Sequence, residues 1–140
     1  MSRVQVLLST YNGARYLPDM IASLEAPTVW PRMSVLVRDD GSVDETLPLL
    51  HEWAARAPRV TVISGQNLGV LASFGALMAA ADPDADYIAL ADQDDVWLPG
   101  KVERALDLIG ATPAEIGLYC SASYLTDADL RRIRRTAPLP

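Results

Sequence analysis

Cysteine, histidine and phenylalanine each occur once in this 140-residue chain, and those scarcities exclude whole classes of chemistry. Cys120 cannot close an internal disulfide and has no partner at metal-ligand spacing, which fits a reducing compartment. His51, between Leu50 and Glu52 on a helical pattern, has no Cys or His near it in sequence and reads as a surface residue. No apolar run is long enough to span a bilayer. Met1-Ser2-Arg3 passes straight into Val4-Gln5-Val6-Leu7-Leu8, without signal-peptide architecture. The expected location is the cytoplasm, with peripheral contact at the inner face of the membrane left open. Basic residues number 12 against 18 acidic ones, and a formal charge of −6 argues against a nucleic-acid partner. The basic cluster Arg131, Arg132, Arg134 and Arg135 is expected to be a solvated helix end or tail, with acidic lipid or a polyanion as the other reading. A glycine-rich first turn, G-x-G-x-x-G, is also missing. Only Gly13 stands there, which argues against a dinucleotide-binding oxidoreductase.

What is present is a core. Half the residues are apolar, so disorder is excluded, and the length suits one ordinary domain. Strand-like runs alternate with helical patterns. The expected strands are Val4 to Leu8, Val35 to Val37, Val60 to Ile63, Tyr87 to Ala91 and Ile116 to Cys120. Between them, helical spacing links Leu17, Met20, Ile21 and Leu24, then Leu47, Leu50 and Ala54. It also links Leu71, Phe74, Met78 and Ala81, then Val102, Ala105, Leu106 and Ile109. Pro18 is tolerated only in a first helical turn. This alternation predicts an α/β fold, a mostly parallel sheet with helices on both faces. No internal repeat or low-complexity tract interrupts it.

Carboxylates cluster where two of these strands end. Tyr87-Ile88-Ala89-Leu90-Ala91 runs into Asp92, Gln93, Asp94 and Asp95, then Val96-Trp97-Leu98-Pro99. Packing does not call for three adjacent acids, because they repel and resist desolvation. A divalent cation relieves both costs, and hard oxygen ligands suit Mg²⁺ or Mn²⁺. A solvated acidic turn is the plainer alternative. Earlier, Ser34-Val35-Leu36-Val37-Arg38 runs into Asp39-Asp40-Gly41-Ser42. Ser42 with Glu45 predicts a capping box, which leaves Asp44 and Glu45 in the first helical turn, where the macrodipole favours them. Asp39 and Asp40 precede that cap and need another explanation. Loops at the carboxyl ends of such a sheet form its ligand crevice, so both acidic ends are expected to face one cavity.

Three further signals are open on the residues alone. Ser9-Thr10-Tyr11-Asn12-Gly13 could bracket a flat heterocycle or form an ordinary turn. Gln66-Asn67-Leu68-Gly69 could offer amides to a phosphate or sugar hydroxyl, or simply start a helix. Trp97 could pack on a sugar ring at the crevice mouth or belong to the core. By contrast, Asp82-Pro83-Asp84-Ala85-Asp86 only imitates a calcium loop. Tyr87 stands where the sharp-turn glycine is needed and Gln93 where the bidentate acid is needed.

Taken in order, Val6 to Asn12, Arg38 to Ser42 with Asp44-Glu45-Thr46, Asn67-Leu68-Gly69 and Ala91 to Pro99 resemble the successive motifs of family-2 glycosyltransferases. The run Asp92-Gln93-Asp94-Asp95-Val96-Trp97 is most similar to rhamnosyltransferase-like members. The resemblance implies the nucleotide-diphospho-sugar binding half of a GT-A fold, Rossmann-like, in residues 1–130, with a basic, proline-containing tail in 131–140. It further implies a metal-dependent inverting transferase using a UDP- or dTDP-sugar, with rhamnose as a candidate. The acceptor would be a glycan or lipid-linked molecule, as in cell-wall polysaccharide biosynthesis. Thr10, Tyr11 and Asn12 would line the nucleobase pocket. Asp39 or, preferably, Asp40 would accept the N3–H of uracil or thymine. Asn67, Gly69, Gln93 and Trp97 would belong to the donor site. Asp92-Gln93-Asp94 would be the Asp-x-Asp motif, with Asp94 on the cation, Asp92 on ribose or a metal-bound water, and Asp95 a further candidate ligand.

The chain departs from that pattern twice. Ser73-Phe74-Gly75 stand where many members carry an Arg-Asn pair, so a donor contact from that Arg is not expected. The catalytic base and acceptor-binding half are expected beyond Pro140, so the chain should bind donor without transferring it. It could also form a homodimer. Two alternatives remain: a non-catalytic nucleotide-binding module, or a Mg²⁺-dependent phospho-accepting signalling domain.

Overall fold

A computed structural model describes residues 2–111 and 116–137, and the chain divides into two compact units, Met1–Lys101 and Val102–Pro140. In the first, β1 (Val4–Thr10), β2 (Met33–Asp39), β3 (Val60–Ser64) and β4 (Tyr87–Asp92) form one parallel sheet in the order β3-β2-β1-β4. The first four expected strands are therefore present, with β2 running two residues further at each end. β1 and β2 are central and covered by helices on both faces. That is why they read as unbroken apolar runs rather than alternating ones.

Helix α1 (Leu17–Glu25) buries Leu17, Met20, Ile21 and Leu24, the expected stripe, with Pro18 in its first turn. Helix α2 (Thr46–Arg56) buries Leu50 and Trp53. Glu25 at the end of α1 accepts from Trp53 Nε1 at 2.8 Å and pairs with Arg56 at 2.8 Å, which ties the two helices together. Helix α3 (Val70–Ala79) covers the face presenting Leu7 and Leu36, and these two cluster with Leu77, Phe74 and Ala81. Here the expected stripe needs correction. Leu71 and Met78 are exposed, while Ser73 and Leu77 turn inward. Every residue of α3 except Ser73 is apolar or glycine, so no polar face marks its orientation. Polar partners on β1 and β2 decide it instead.

The capping box is also absent. α2 begins at Thr46, and Asp44 receives the Thr46 N–H at 3.0 Å, while the Ser42 hydroxyl is donated back to Asp39 at 2.6 Å.

In the second unit, α4 (Lys101–Gly110) keeps Val102, Ala105, Leu106 and Ile109 more covered than its opposite face, as expected. No strand forms at Ile116 to Cys120. Instead β5 (Tyr124–Thr126) pairs antiparallel with β6 (Arg132–Arg135), so the expected tail contains a strand. Asp127 makes the turn by accepting the N–H groups of Asp129 and Arg131, each at 2.9 Å. The Arg132 guanidinium lies 4.1 Å from the Tyr124 ring centroid.

These packing differences predict a contrast measurable by urea denaturation. Leu7→Ala, in the fully buried cluster, should cost about 2–5 kcal/mol. Leu90→Ala on β4, where the side chain is 58% exposed, should stay within about 0.5 kcal/mol of the parent.

Candidate donor-nucleotide site

The strand order places the site. The chain steps outward from β1 to β2 to β3, then α3 carries it back so that β4 lies on the other side of β1. The order therefore reverses between β1 and β4, and ligands of open α/β sheets bind beyond the carboxyl ends at such a switch point. The loops after β1 and β4 flank it, and the loop after β2 lies next to them.

Side chains lace the β1 and β2 loops to one another. Asn12 takes a left-handed backbone, φ 45°, donates its N–H to Ser42 Oγ at 2.9 Å and accepts the Val43 N–H on Oδ1 at 2.9 Å. Gly13 N–H meets Thr46 Oγ1 at 2.8 Å, and Ala14 N–H meets Asp44 at 3.2 Å. Burial pushes the Asp44 carboxyl up, but the hydroxyl and amide of Thr46 and the Ala14 amide outweigh it and hold it below the ordinary range. Tyr11 is left with its side chain 48% exposed at the rim.

The two acids after β2 are buried and already engaged. Asp39 accepts the Thr10 hydroxyl at 3.0 Å, the Ser42 hydroxyl at 2.6 Å and the Ser42 N–H at 2.9 Å. Asp40 accepts the Arg38 guanidinium, the Leu68 N–H at 2.8 Å and the Gly69 N–H at 2.9 Å. Burial raises the Asp40 pKa, yet the two amides and Arg38 more than offset it and leave it below the ordinary value. Arg38 itself is 6% exposed and also donates to Ser73 Oγ at 3.1 Å and to the Gln66 carbonyl at 3.0 Å. Ser73 in turn shares a 2.6 Å hydrogen bond with Ser9. Arg38 and Ser9 fall inside the motifs already noted, but nothing in the sequence shows that they meet each other through Ser73. The one available clue is a lone arginine closing an apolar strand directly before two aspartates.

This network changes the reading of Gly69. Its φ of 84° places it as the cap of α3, but its amide and that of Leu68 are turned to Asp40 rather than offered to a phosphate. The anion at this helix N-terminus is the protein's own. Asn67 is exposed in the same loop, and a Cβ on Gly41, φ 83°, would come within 3.1 Å of its backbone nitrogen. The sugar-stacking reading of Trp97 is also corrected. The residue is 4% exposed, its N–H is donated to Ser23 at 3.0 Å, and the Lys101 ammonium sits 4.9 Å from the ring centroid. A covered ring cannot stack on a ligand, so Trp97 anchors the β4 loop to the core.

Asp92, Asp94 and Asp95 behave differently from the β2 acids. All three are exposed. Desolvation, then the charges of Asp92 and Asp94, push the Asp95 carboxyl above the ordinary range, with Lys101 opposing. Hard oxygens under mutual repulsion fit a divalent cation. They do not converge as a ready three-ligand set, however, for among the described residues no three His, Cys, Asp or Glu side chains do so. The expected triad is corrected to an incomplete set, the arrangement of sites where one or two carboxylates share the cation with substrate phosphates. Gln93 faces away from that role. Its amide accepts the Tyr11 N–H and donates to the Tyr11 carbonyl, each at 2.9 Å.

A family model for glycosyl transferase family 2 matches residues 5–137. The chain belongs to that family. An uncharacterized glycosyltransferase of Nostoc sp. is 34% identical over 107 residues, covering 76% of this chain and 32% of its own length. The dTDP-rhamnosyl transferase RfbG of Shigella flexneri is 30% identical over 107 residues, covering 73% of this chain and 36% of its own. This family-2 chain thus spans about a third of the length of these curated relatives. Among solved structures, a mannosyltransferase of Pyrobaculum calidifontis in complex with GDP-Man and Mn²⁺ superposes with a TM-score of 0.71 at 22% identity, over 79% of this chain and 33% of that one. S. aureus TarS in complex with UDP-GlcNAc gives 0.69 at 19% identity, over 89% and 40%. The parallel sheet and its helices thereby share the α/β GT-A fold of these structures over part of their length.

The Asp40 geometry predicts a pH-dependent stability. Its folded pKa lies below the unfolded value of about 3.9, so its stabilisation is complete above that value and fades as pH falls further through the folded pKa. Asp40→Asn strands Arg38 and should cost about 3–5 kcal/mol at neutral pH. Chemical denaturation across pH should show the gap between variant and parent closing in the acid range.

Proposed function

We propose that this chain is the donor-binding part of a metal-dependent, inverting glycosyltransferase that takes its sugar from a pyrimidine nucleoside diphosphate. One observation carries the reading. The acids after β2 are engaged within the fold, whereas those after β4 stand exposed at the switch point and, among the described residues, take no side-chain hydrogen bond or ion pair. Asp94, with Asp92 beside it, would hold Mn²⁺ or Mg²⁺, and the cation when bound would neutralise the departing diphosphate. Asp95 is a further ligand candidate. Tyr11, flanked by Thr10 and Asn12, would take the nucleobase. Asp40 would read the N3–H through the lone-pair direction its three donors leave, with Asp39 equally placed by its own three. The dTDP-rhamnosyl relative favours dTDP-rhamnose among the candidate donors, and TarS bound to UDP-GlcNAc supports a UDP-sugar as the other option. The acceptor would be a glycan or lipid-linked molecule of cell-wall polysaccharide synthesis. The exposed Cys120 fits a reducing cytoplasm, with the basic β6 free to meet the inner face of a membrane. Among the described residues no helix is long and apolar enough to cross one.

Calorimetric titration with dTDP, UDP and GDP, with and without Mn²⁺, tests this. The pyrimidine diphosphates should bind more tightly with Mn²⁺, and Asp94→Ala should abolish that gain while leaving the melting temperature equal or higher. Equal Mn²⁺-assisted affinity in the variant would refute the metal role.

The chain should bind donor without turning over an acceptor. Direct displacement needs a positioned base, worth typically about 10²–10⁴-fold, and a cation-bound carboxylate is a poor one. Asp127 is held by its turn amides, and Asp127 and Asp129 both lie within 4 Å of Arg131 (3.9 and 3.5 Å). Transfer at ordinary enzymatic rates from UDP- or dTDP-sugars with Mn²⁺, to any of a panel of glycans, would place a base within these residues.

A further inference from the structure

The β4 loop meets the nucleotide side of the crevice through one residue. β1 and β4 run in register as far as Ser9 opposite Asp92, after which the backbone ladder stops. At that point the Gln93 side chain continues it, accepting the Tyr11 N–H and donating to the Tyr11 carbonyl, each at 2.9 Å. Two bonds to one residue fix both the position and the direction of that stretch of backbone. Room for the amide exists because residue 13 is glycine. A Cβ there would lie 2.0 Å from Gln93 Oε1 and 2.3 Å from Cδ. On its far side the Tyr11 loop is already fastened to the β2 loop through Asn12, Gly13 and Ala14. Among the described residues, the side-chain hydrogen bonds that carry Asp92 to Asp95 across to these loops are those of Gln93.

We propose that Gln93 is a positioning residue that makes the Tyr11 loop and the acidic loop one body, so that cation occupancy at Asp92 and Asp94 orders the loop holding the nucleoside. This rests on the donor-binding reading and adds a coupling to it. Gln93 lies between Asp92 and Asp94 in sequence, so a cation held by those acids would restrain the backbone that carries its amide and, through its two hydrogen bonds, the Tyr11 backbone. Cation and nucleoside would then favour each other through the protein as well as through the diphosphate, and such coupling is reciprocal.

The test is amide NMR of the 140-residue chain titrated with Mg²⁺ in the presence of inorganic pyrophosphate, which supplies the phosphate oxygens the acids lack and carries no nucleoside. In the parent, Tyr11 should shift along the same titration curve as Asp92 and Asp94. In Gln93→Ala the two acids should still shift and Tyr11 should not. Gly13→Ala keeps every polar group but displaces the Gln93 amide, and should silence Tyr11 in the same way. By calorimetry with dTDP and Mg²⁺, each variant should bind about 3–30-fold more weakly, the loss of one to two ordinary hydrogen bonds. The double variant should be no weaker than the worse single one, because the new methyl then enters an empty slot. A silent Tyr11 in the parent while Asp92 and Asp94 move, or additive losses in the double variant, would overturn the coupling and leave the donor reading standing. Silence at Asp92 and Asp94 themselves would overturn both.

Discussion

A guanidinium buried at the end of β2 organises the crevice. Arg38 cannot stay in that position without a carboxylate, and Asp40 two residues on supplies it. The remaining oxygen sites of Asp40 then draw in the amides of Leu68 and Gly69, which sets the start of α3. The remaining donors of Arg38 take Ser73 and the Gln66 carbonyl, which turns α3 with its one hydroxyl inward. Ser73 reaches Ser9 on β1. One ion pair thereby joins β1, β2, the 66–69 loop and α3, and the crevice has a rigid wall on that side.

That arrangement separates two kinds of carboxylate which look alike in sequence. Asp39, Asp40 and Asp44 are acceptors for groups the fold must satisfy. Asp92, Asp94 and Asp95 lie at the free end of β4, where among the described residues nothing comparable reaches them and where desolvation, then the charges of Asp92 and Asp94, raise the Asp95 pKa. A surface that retains such repulsion is one that an outside cation can relieve, and a diphosphate can complete the coordination the protein leaves unfinished. On the proposed reading, that wall would hold the nucleoside and the acidic loop would take the cation.

Much of this was legible because buried parallel strands announce themselves as continuous apolar runs that stop abruptly. β1, β2 and β4, with the acids that end β2 and β4, follow from that alone. The orientation of α3 is not legible, because a helix apolar on almost every side has no periodic signal to orient it. The hairpin of β5 and β6 is not legible either, because four arginines look like a solvated tail, and only the Asp127 turn and the stacking of Arg132 on Tyr124 turn them into a strand. The Gln93–Tyr11 contact joins residues 82 apart, so it could not be seen until the strand register was known. The same holds for Asp40. Its two amide partners lie 28 and 29 residues away, and Arg38 is the one local residue that distinguishes it from Asp94.

The central claim is this division between carboxylates held by the fold and carboxylates left for a cation. Crystals of the chain grown with Mn²⁺ and dTDP would test it most directly, because the anomalous signal of manganese locates the ion without reference to any assumed ligand. The account predicts a single strong peak beside Asp94, shared with the diphosphate oxygens, while Asp39 and Asp40 keep their hydrogen bonds to Ser42, Leu68 and Gly69. A manganese peak on Asp39 or Asp40, with the β4 acids unliganded, would contradict it.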